Sequence, residues 1–297
     1  MHNKERQGEY FLLAEEFLWG WFPIVTLLCY RHVAPLWTMA LTILISTLVF
    51  GLTIFCQGQG QELSRRAAWP DLAWSSLFIA LLFLLLFGGL SRTTAGNAAL
   101  ILFLQVFFSY LYFNLFRQET MAPAHTGGMV LLCLGAVLVL FPGKMALNLG
   151  DLLVLMAAML APVANRYQQR ARRHVSATTL LFFRNLASLP LLFLLAWLFA
   201  PLPAGDDLAA TWWLLAINGV FLMGLSKIFW IEGLHRLSIT KMSALTALSP
   251  LFTMAFAWPV LGEVPGFWQI MGALPILAGG LLITRRSEQA DNGDSGR

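Results

Sequence analysis

The sequence predicts an all-α integral membrane protein whose ten transmembrane helices form two inverted five-helix repeats around a central cavity. Composition is the first reason, because 58% of the residues are hydrophobic and only 11% are charged, whereas roughly a quarter of the residues of a soluble domain are charged. The second reason is a series of apolar runs, each close to the about 20 residues that a membrane-crossing helix needs. The third is an internal repeat.

The internal repeat aligns residues 89–140 with residues 233–284 without a gap. Nine positions are identical, and five of them are Gly, Arg or Glu, which an apolar composition does not explain. The chain therefore consists of two copies of one unit. Each copy holds an odd number of apolar runs, so the two copies lie in opposite orientations in the membrane. Inverted repeats of this kind are common in secondary transporters.

Short loops of turn-forming or charged residues separate the apolar runs. The runs cover residues 10–29, 35–55, 70–89, 95–115, 127–143, 150–168, 177–200, 209–234, 239–261 and 266–284. They divide the chain into a cytoplasmic N-terminal tail (1–9), a first repeat (10–143), a second repeat (144–284) and a C-terminal tail (285–297). The C-terminal tail is polar, and we expect it to be cytoplasmic and disordered.

Basic residues set the orientation, because cytoplasmic loops carry an excess of Lys and Arg. With the N-terminus in the cytoplasm, 14 of the 19 Lys and Arg residues lie on the cytoplasmic side and only three on the outer side. Both termini are therefore expected in the cytoplasm. The first apolar run lacks the basic segment and cleavage site of a signal peptide, so we expect it to be retained as a helix.

Four charged residues lie well inside the apolar runs, away from their ends, where an ionised group is costly and usually functional. They are Glu15, Glu16, Arg184 and Lys227. The predicted topology puts all four at a similar depth, roughly 8–11 Å from the cytoplasmic ends of their helices. We therefore expect one or both glutamates to pair with Arg184 or Lys227 in the cytoplasmic half of the central cavity.

The sequence leaves several roles open for these charges. They form a gate that breaks when the cavity opens inward, or they bind a zwitterionic substrate, or a glutamate carries the coupling proton. The alternative without a transport role is structural pairing, or snorkelling of the charges to the lipid head groups. Neighbouring helical residues point about 100° apart, so snorkelling fits at least one of the two glutamates.

Aromatic and amide side chains complete the candidate site. Trp19 and Trp21 lie close to the glutamates in the first run, and they are the best candidates for a wall of the cavity. Asn97 and Gln105 lie in the fourth run and are candidates for substrate binding or gating. Amide side chains inside membrane helices more often join helices than bind ligands, and this reading also stays open.

Four glycines occupy equivalent positions of the fifth and tenth runs, namely Gly128, Gly135, Gly272 and Gly279. Small residues let membrane helices approach closely, which is how helices associate in lipid. We expect these glycines to serve helix packing rather than ligand binding.

No motif in the sequence points to an enzyme or to a bound cofactor. A Walker-type phosphate loop, a Gly-x-Ser-x-Gly elbow and a His-Glu-x-x-His motif are all missing. Cys29, Cys56 and Cys133 are far apart and fit neither a metal motif nor a disulfide framework. No basic stripe interleaved with aromatic residues suggests nucleic-acid binding. Without an ATPase module, transport would be driven by ion or substrate gradients.

Residues 89–100 (GLSRTTAGNAAL), followed by an apolar run to Glu119 and a Gly-rich run, resemble the EamA-type unit of the drug/metabolite transporter superfamily. Residues 233–240 (GLHRLSIT), 248–252 (LSPLF) and 261–263 (LGE) resemble the same unit in the second half. The resemblance implies a ten-helix inner-membrane carrier from a family whose members mostly export amino acids, other metabolites or drugs.

Two positions depart from the pattern of this family. Gln105 and Val106 stand where the family often has Glu-Pro, and no Arg follows Pro35 in the second run. Arg184 matches the corresponding Arg of the second half. The first repeat has therefore lost polar features that relatives use.

These observations predict a secondary-active transporter that exports a small amphiphilic metabolite, such as an amino acid or a related compound or drug, by alternating access. The expected partners are a small-molecule substrate, membrane lipids and the proton as coupling ion. We expect a monomer or homodimer in a bacterial-type inner (plasma) membrane. Two alternatives stay open: a flippase of a lipid-linked headgroup, for which Arg184 and Lys227 would supply a cationic site, and a non-transporting membrane scaffold or sensor.

Overall fold

The computed structural model consists of helices joined by short loops, without a strand, in the residues that it describes, which are 2–117, 123–140, 148–237, 245–246 and 248–294. Its helices are α1 (His2–Cys29), α2 (Pro35–Cys56), α3 (Trp69–Leu90), α4 (Ala95–Phe103), α5 (Gln105–Arg117), α6 (Pro123–Leu140), α7 (Leu149–Arg172), α8 (Ala177–Phe199), α9 (Gly205–Ile217), α10 (Ser226–Arg236), α11 (Leu248–Leu261) and α12 (Phe267–Asp294). Two 3₁₀ turns, Gln59–Ser64 and Arg66–Ala68, join α2 to α3, and a π-helical segment, Asn218–Leu225, joins α9 to α10.

These helices confirm the all-α membrane prediction for the described residues. Six helical stretches are long and apolar enough to cross a membrane, and four shorter apolar helices fall in the remaining predicted runs. The fourth run is divided into α4 and α5 because Leu104 donates its backbone N–H to Ile101, three residues back, in a 3₁₀-type bond. The eighth run contains the π-helical segment, which ends just before Lys227.

Helices α6 and α12 cross at the four glycines that the repeat makes equivalent. A Cβ atom on Gly135 would lie 2.6 Å from the carbonyl oxygen of Gly272, and one on Gly279 would lie 2.5 Å from that of Gly128. Gly128 corresponds to Gly272, and Gly135 to Gly279, so the two contacts are copies of each other. The residue numbers rise along one helix as they fall along the other. The helices are therefore antiparallel, as inverted repeats require.

This crossing leads to a stability prediction for Gly135→Ala. The added methyl group would meet the backbone of α12, which cannot rotate away, so we expect overpacking to lower the stability by about 1–3 kcal/mol. Gly127→Ala is the matched control, since nothing lies within 4 Å of a Cβ atom there. The apparent melting temperature in detergent should fall for Gly135→Ala and stay constant for the control. Equal melting temperatures would show that the two helices are not in backbone contact.

A second pair of helix contacts involves Gly89 and its repeat equivalent, Gly233. A Cβ atom on Gly89 of α3 would lie 2.9 Å from the carbonyl oxygen of Gly150 in α7. Gly233 of α10 is the repeat equivalent of Gly89, and a Cβ atom there would lie 3.9 Å from the carbonyl oxygen of Gly8 in α1. The first helix of each repeat therefore packs against the third helix of the other repeat, so that α1 packs on α10 and α7 packs on α3.

The two polar tails differ from expectation in their structure. Helix α1 begins at His2, so most of the N-terminal tail continues the first helix. Helix α12 continues to Asp294, so residues 285–294 are helical although the sequence predicts disorder for 285–297. This extension contains no proline, and an existing helix adds residues without a new nucleation step. The boundary between the predicted repeats, 143/144, and residues 295–297 lie outside the described residues.

Candidate functional site

A central cavity lies among α1, α3, α4, α7, α8, α10, α11 and the first residue of α5. Six of the eight residues predicted for substrate binding or gating line it: Glu15, Glu16, Trp19, Gln105, Arg184 and Lys227. Much of the remaining wall is apolar, with Phe22, Ile79, Leu82, Phe83, Leu86 and Phe103. The cavity therefore combines two acids and two bases with a hydrophobic wall, which suits an amphiphilic ligand.

Glu15 and Lys227 form a buried ion pair between α1 and α10. Lys227 Nζ lies 2.7 Å from Glu15 Oε1, and Ser226 Oγ donates to the same oxygen at 3.1 Å. Lys227 Nζ also lies 3.3 Å from the ring centroid of Trp19, and Trp19 is stacked on Phe22. The two charges compensate each other, and the cation–π contact holds the ammonium group in place.

Arg184 is buried, but neutral amides surround it. Its Nη1 donates to Gln168 Oε1 at 2.9 Å, and its Nε and Nη2 both donate to Asn185 Oδ1 at 3.2 Å. Of the five N–H donors of an arginine, two are left without a bond to any described residue. No carboxylate of the described residues forms an ion pair with Arg184. Its positive charge is therefore held in place without being compensated.

A chain of buried hydrogen bonds fixes the two amides that hold Arg184. Gln168 Nε2 donates to Asn165 Oδ1 at 3.0 Å, and Asn185 Nδ2 donates to Ser46 Oγ at 2.8 Å. This chain joins α2, α7 and α8, so that the guanidinium has one orientation relative to the cavity. Sequence reasoning missed Gln168 and Ser46. Gln168 lies inside the basic stretch 166–173, whose arginines indicate membrane orientation and give no sign of a cavity residue among them.

Glu16 is the second charged residue of the cavity that forms no ion pair with a described residue. Only 1% of its surface is exposed, and neither carboxylate oxygen has a hydrogen bond from any described residue. Thr246, Glu15 and the Lys227 that Glu15 pairs with are the polar groups beside it. An ionised carboxylate at this depth is costly without a partner. A proton or a cationic ligand group in the cavity would remove that cost.

The remaining two candidates lie outside the cavity. Trp21 is two residues from Trp19, about 200° around the helix, and it is stacked on Phe256 of α11 with the ring centroids 4.5 Å apart. Of the two tryptophans that are candidates for the wall, Trp19 lines this cavity and Trp21 packs between α1 and α11. Asn97 lies near the end of the bundle opposite the N-terminus, where its Oδ1 accepts a hydrogen bond from Gln269 of α12 at 2.6 Å. There it joins two helices.

Comparisons with known proteins agree with this architecture. The EamA-like transporter family model matches residues 6–141 and again residues 148–285. The uncharacterized transporter YoaV of Bacillus subtilis (strain 168) is 21% identical over 274 residues, covering 90% of this chain and 93% of that protein. An uncharacterized transporter of Methanothermobacter thermautotrophicus is 31% identical over 215 residues, covering 69% of this chain and 60% of that protein.

A solved crystal structure shares the fold at a TM-score of 0.71 and 20% sequence identity, and the match covers 95% of this chain and 98% of that one. The two family matches fall on the two halves of the chain, as the internal repeat and the symmetric helix crossings predict. The chain is therefore a multi-pass membrane transporter and a member of the EamA-like transporter family.

Proposed function

We propose that this transporter is a secondary carrier that exports a small zwitterionic metabolite with an apolar side chain, such as an amino acid, by alternating access. One observation carries the proposal. The same cavity holds a cation, Arg184, and an acid, Glu16, that form no ion pair among the described residues. Glu15 and Lys227 already neutralise each other, so Arg184 and Glu16 are the charges available to a ligand.

The hydrogen bonds around Arg184 favour a carboxylate as the anionic group of the substrate. Its two unengaged N–H donors match the two oxygens of one carboxylate, and such bidentate pairs are among the strongest hydrogen-bonded contacts in proteins. Because amides rather than acids hold the guanidinium, a ligand carboxylate meets no competing anion. The amide frame orients Arg184 before the ligand arrives, which lowers the entropic cost of binding.

The burial of Glu16 without an ion pair favours an amine as the cationic group of the substrate, and it also supports proton coupling. An ammonium group of the ligand would compensate the buried carboxylate, and so would a proton after the ligand has left. The proton and the substrate amine would therefore compete for one carboxylate, which links inward proton movement to outward substrate movement. The apolar wall formed by Phe22, Leu82 and Phe83 is suited to the side chain of the substrate.

Orientation in the inner (plasma) membrane with both termini in the cytoplasm is part of this proposal. Its support is the excess of Lys and Arg at one end of the bundle. Arg65, Arg66, Arg170 and Arg172 lie at the end where α1 begins, together with Arg236 of α10. Positively charged ends face the cytoplasm in membrane proteins. In this orientation the four cavity charges are closer to the cytoplasm than to the outer surface.

Thermal stabilisation of the purified protein tests the ligand class. A compound that binds only the folded state raises the apparent melting temperature. The panel consists of apolar amino acids and two kinds of analogue of each, tested at two pH values. The first analogue is the corresponding amine, which lacks the carboxylate, and the second is the N-acetyl derivative, which lacks the cationic amine. We expect stabilisation by the zwitterions only. If an amine stabilised the protein as much as its parent amino acid, Arg184 would not contact the ligand. Stabilisation by anionic lipid alone would favour the flippase.

Gln168 gives a prediction that separates orientation of Arg184 from simple packing. In Gln168→Glu, a carboxylate of nearly the same shape would lie next to the guanidinium and compensate its charge. We expect the variant to be at least as stable as wild type, because it pairs a buried cation, but to bind substrate about tenfold or more weakly because Arg184 is occupied. The substrate dependence of the melting temperature measures both effects. Unchanged affinity in a stable variant would mean that Arg184 does not contact the substrate.

A further inference from the structure

Polar contacts join the two repeats at the end of the bundle opposite the N-terminus. In the loop between α11 and α12, Glu263 Oε2 accepts the backbone N–H of Ala95, the first residue of α4, at 3.0 Å. Gln269 of α12 donates through Nε2 to Thr94 Oγ1 at 3.1 Å and to Asn97 Oδ1 at 2.6 Å. We refer to these contacts of Glu263 and Gln269 with the start of α4 as the latch.

The latch is partly enclosed by the protein. Burial raises the pKa of the Glu263 carboxyl above its ordinary value, while the backbone N–H groups of Ala95 and Gly96 oppose that rise. A Cβ atom on Gly96 would lie 3.3 Å from Gln269 Nε2, so α12 lies directly against the first turn of α4.

An apolar layer lies beside the latch between three central helices. Ile24 of α1, Ala95 of α4 and Ala257 of α11 are at most 1% exposed and pack together. Trp21 and Phe256, which are stacked on each other, pack against this layer. One turn further along α4, Ala98 and Ala99 already line the cavity. The latch and the apolar layer therefore lie between the cavity and this end of the bundle.

We propose that Glu263 and Gln269 hold this end of the transport path closed and release α4 once in each transport cycle. The proposal rests on the alternating access of the proposed function. The latch joins α4 of the first repeat to the second repeat, and the two repeats move relative to each other when access alternates. Contacts between them at one end therefore favour the state in which that end is closed. Partly exposed hydrogen bonds are weak enough to break repeatedly.

Cysteine labelling tests the latch without a substrate. The reporter is Thr253→Cys in the cavity wall, where the wild-type hydroxyl has no hydrogen bond from the described residues, in a background with Cys29, Cys56 and Cys133 replaced by serine. A membrane-impermeant maleimide is applied separately to each face of the membrane, using vesicles of known orientation. Glu263→Ala and Gln269→Ala should each increase labelling from the latch side on the order of 3–10-fold or more, because Glu263 loses one hydrogen bond to the start of α4 and Gln269 loses two.

The same variants should lower labelling from the other side, because opening one end closes the other. Val264→Ala is the matched control, since this neighbour of Glu263 is exposed and its labelling should equal that of the parent. Unchanged labelling of both variants overturns the proposal, and so does a lower melting temperature without a change in labelling. If no zwitterion stabilised the protein, the labelling would still test the latch. If labelling did not change, the conclusions about ligand binding would still hold.

Discussion

Glu16→Gln is expected to abolish transport without loss of stability, whereas Glu15→Gln is expected to destabilise the protein. The two residues are neighbours with equal burial, but only Glu15 is paired with Lys227. Glutamine at position 15 leaves a buried ammonium without its counter-ion, which costs about 3–5 kcal/mol. Glutamine at position 16 removes a buried acid that forms no ion pair, so the stability of the folded state should rise or stay unchanged. The substrate amine then loses its charged contact.

Melting temperature and flux of the two variants, measured side by side, check this prediction. Glu16→Gln should melt at or above the wild-type temperature and show no pH dependence of its residual flux, because the proton-binding group is gone. Glu15→Gln should melt at a lower temperature. If both variants melted equally early, Glu16 would be a structural residue. If Glu16→Gln transported normally, the proposed amine and proton site would be in the wrong place.

Arg184→Gln is expected to weaken substrate binding by about 30-fold to several thousandfold. Breaking a buried hydrogen-bonded charge pair costs about 2–5 kcal/mol, and every 1.4 kcal/mol is about tenfold in affinity. Arg184→Lys keeps the charge but not the planar fork, so it should bind with intermediate affinity. Arg31→Gln removes an exposed cation at the opposite end of the bundle and serves as the control with wild-type affinity.

Concentration-dependent thermal stabilisation by the best zwitterion of the panel gives the affinities of these variants. The expected order is wild type and Arg31→Gln first, then Arg184→Lys, then Arg184→Gln. The unliganded melting temperatures separate a lost contact from a damaged fold, because Gln168 and Asn185 also lose a donor when Arg184 is replaced. Equal affinities of the two Arg184 variants and wild type would show that the substrate carboxylate binds elsewhere.

The helices and the repeat could be predicted from the sequence because each depends on local composition or on spacing along the chain. Apolar runs of membrane-spanning length predict the helices, and Glu119 and Glu263 with the repeated glycines reveal the second copy. The division of the fourth run at Leu104 could not be predicted, because no proline or glycine marks it. The helical extension of α12 to Asp294 was also missed, since its polar composition is typical of a disordered tail.

The candidate site was predictable in its charges but not in their partners. Depth in the membrane singles out Glu15, Glu16, Arg184 and Lys227, yet four acid–base pairs are possible among them. Rotation about α1 and the packing of α10 against it select Glu15 with Lys227. The environment of Arg184 depends on amides from two helices and a serine from a third, and no sequence pattern identifies Gln168 as one of these residues. The sequence does not separate Trp19 from Trp21, because the side on which a tryptophan packs depends on its neighbours in three dimensions.

Flux into proteoliposomes of known orientation tests the central claim most directly. The labelled compound is the zwitterion that stabilises the protein best, and its amine and N-acetyl derivatives are added as competitors. We expect saturable flux that responds to a proton gradient, is inhibited by other apolar amino acids and is hardly affected by either derivative. Equal inhibition by the amine, or movement of labelled lipid in place of the soluble compound, would contradict a zwitterion site formed by Arg184 and Glu16.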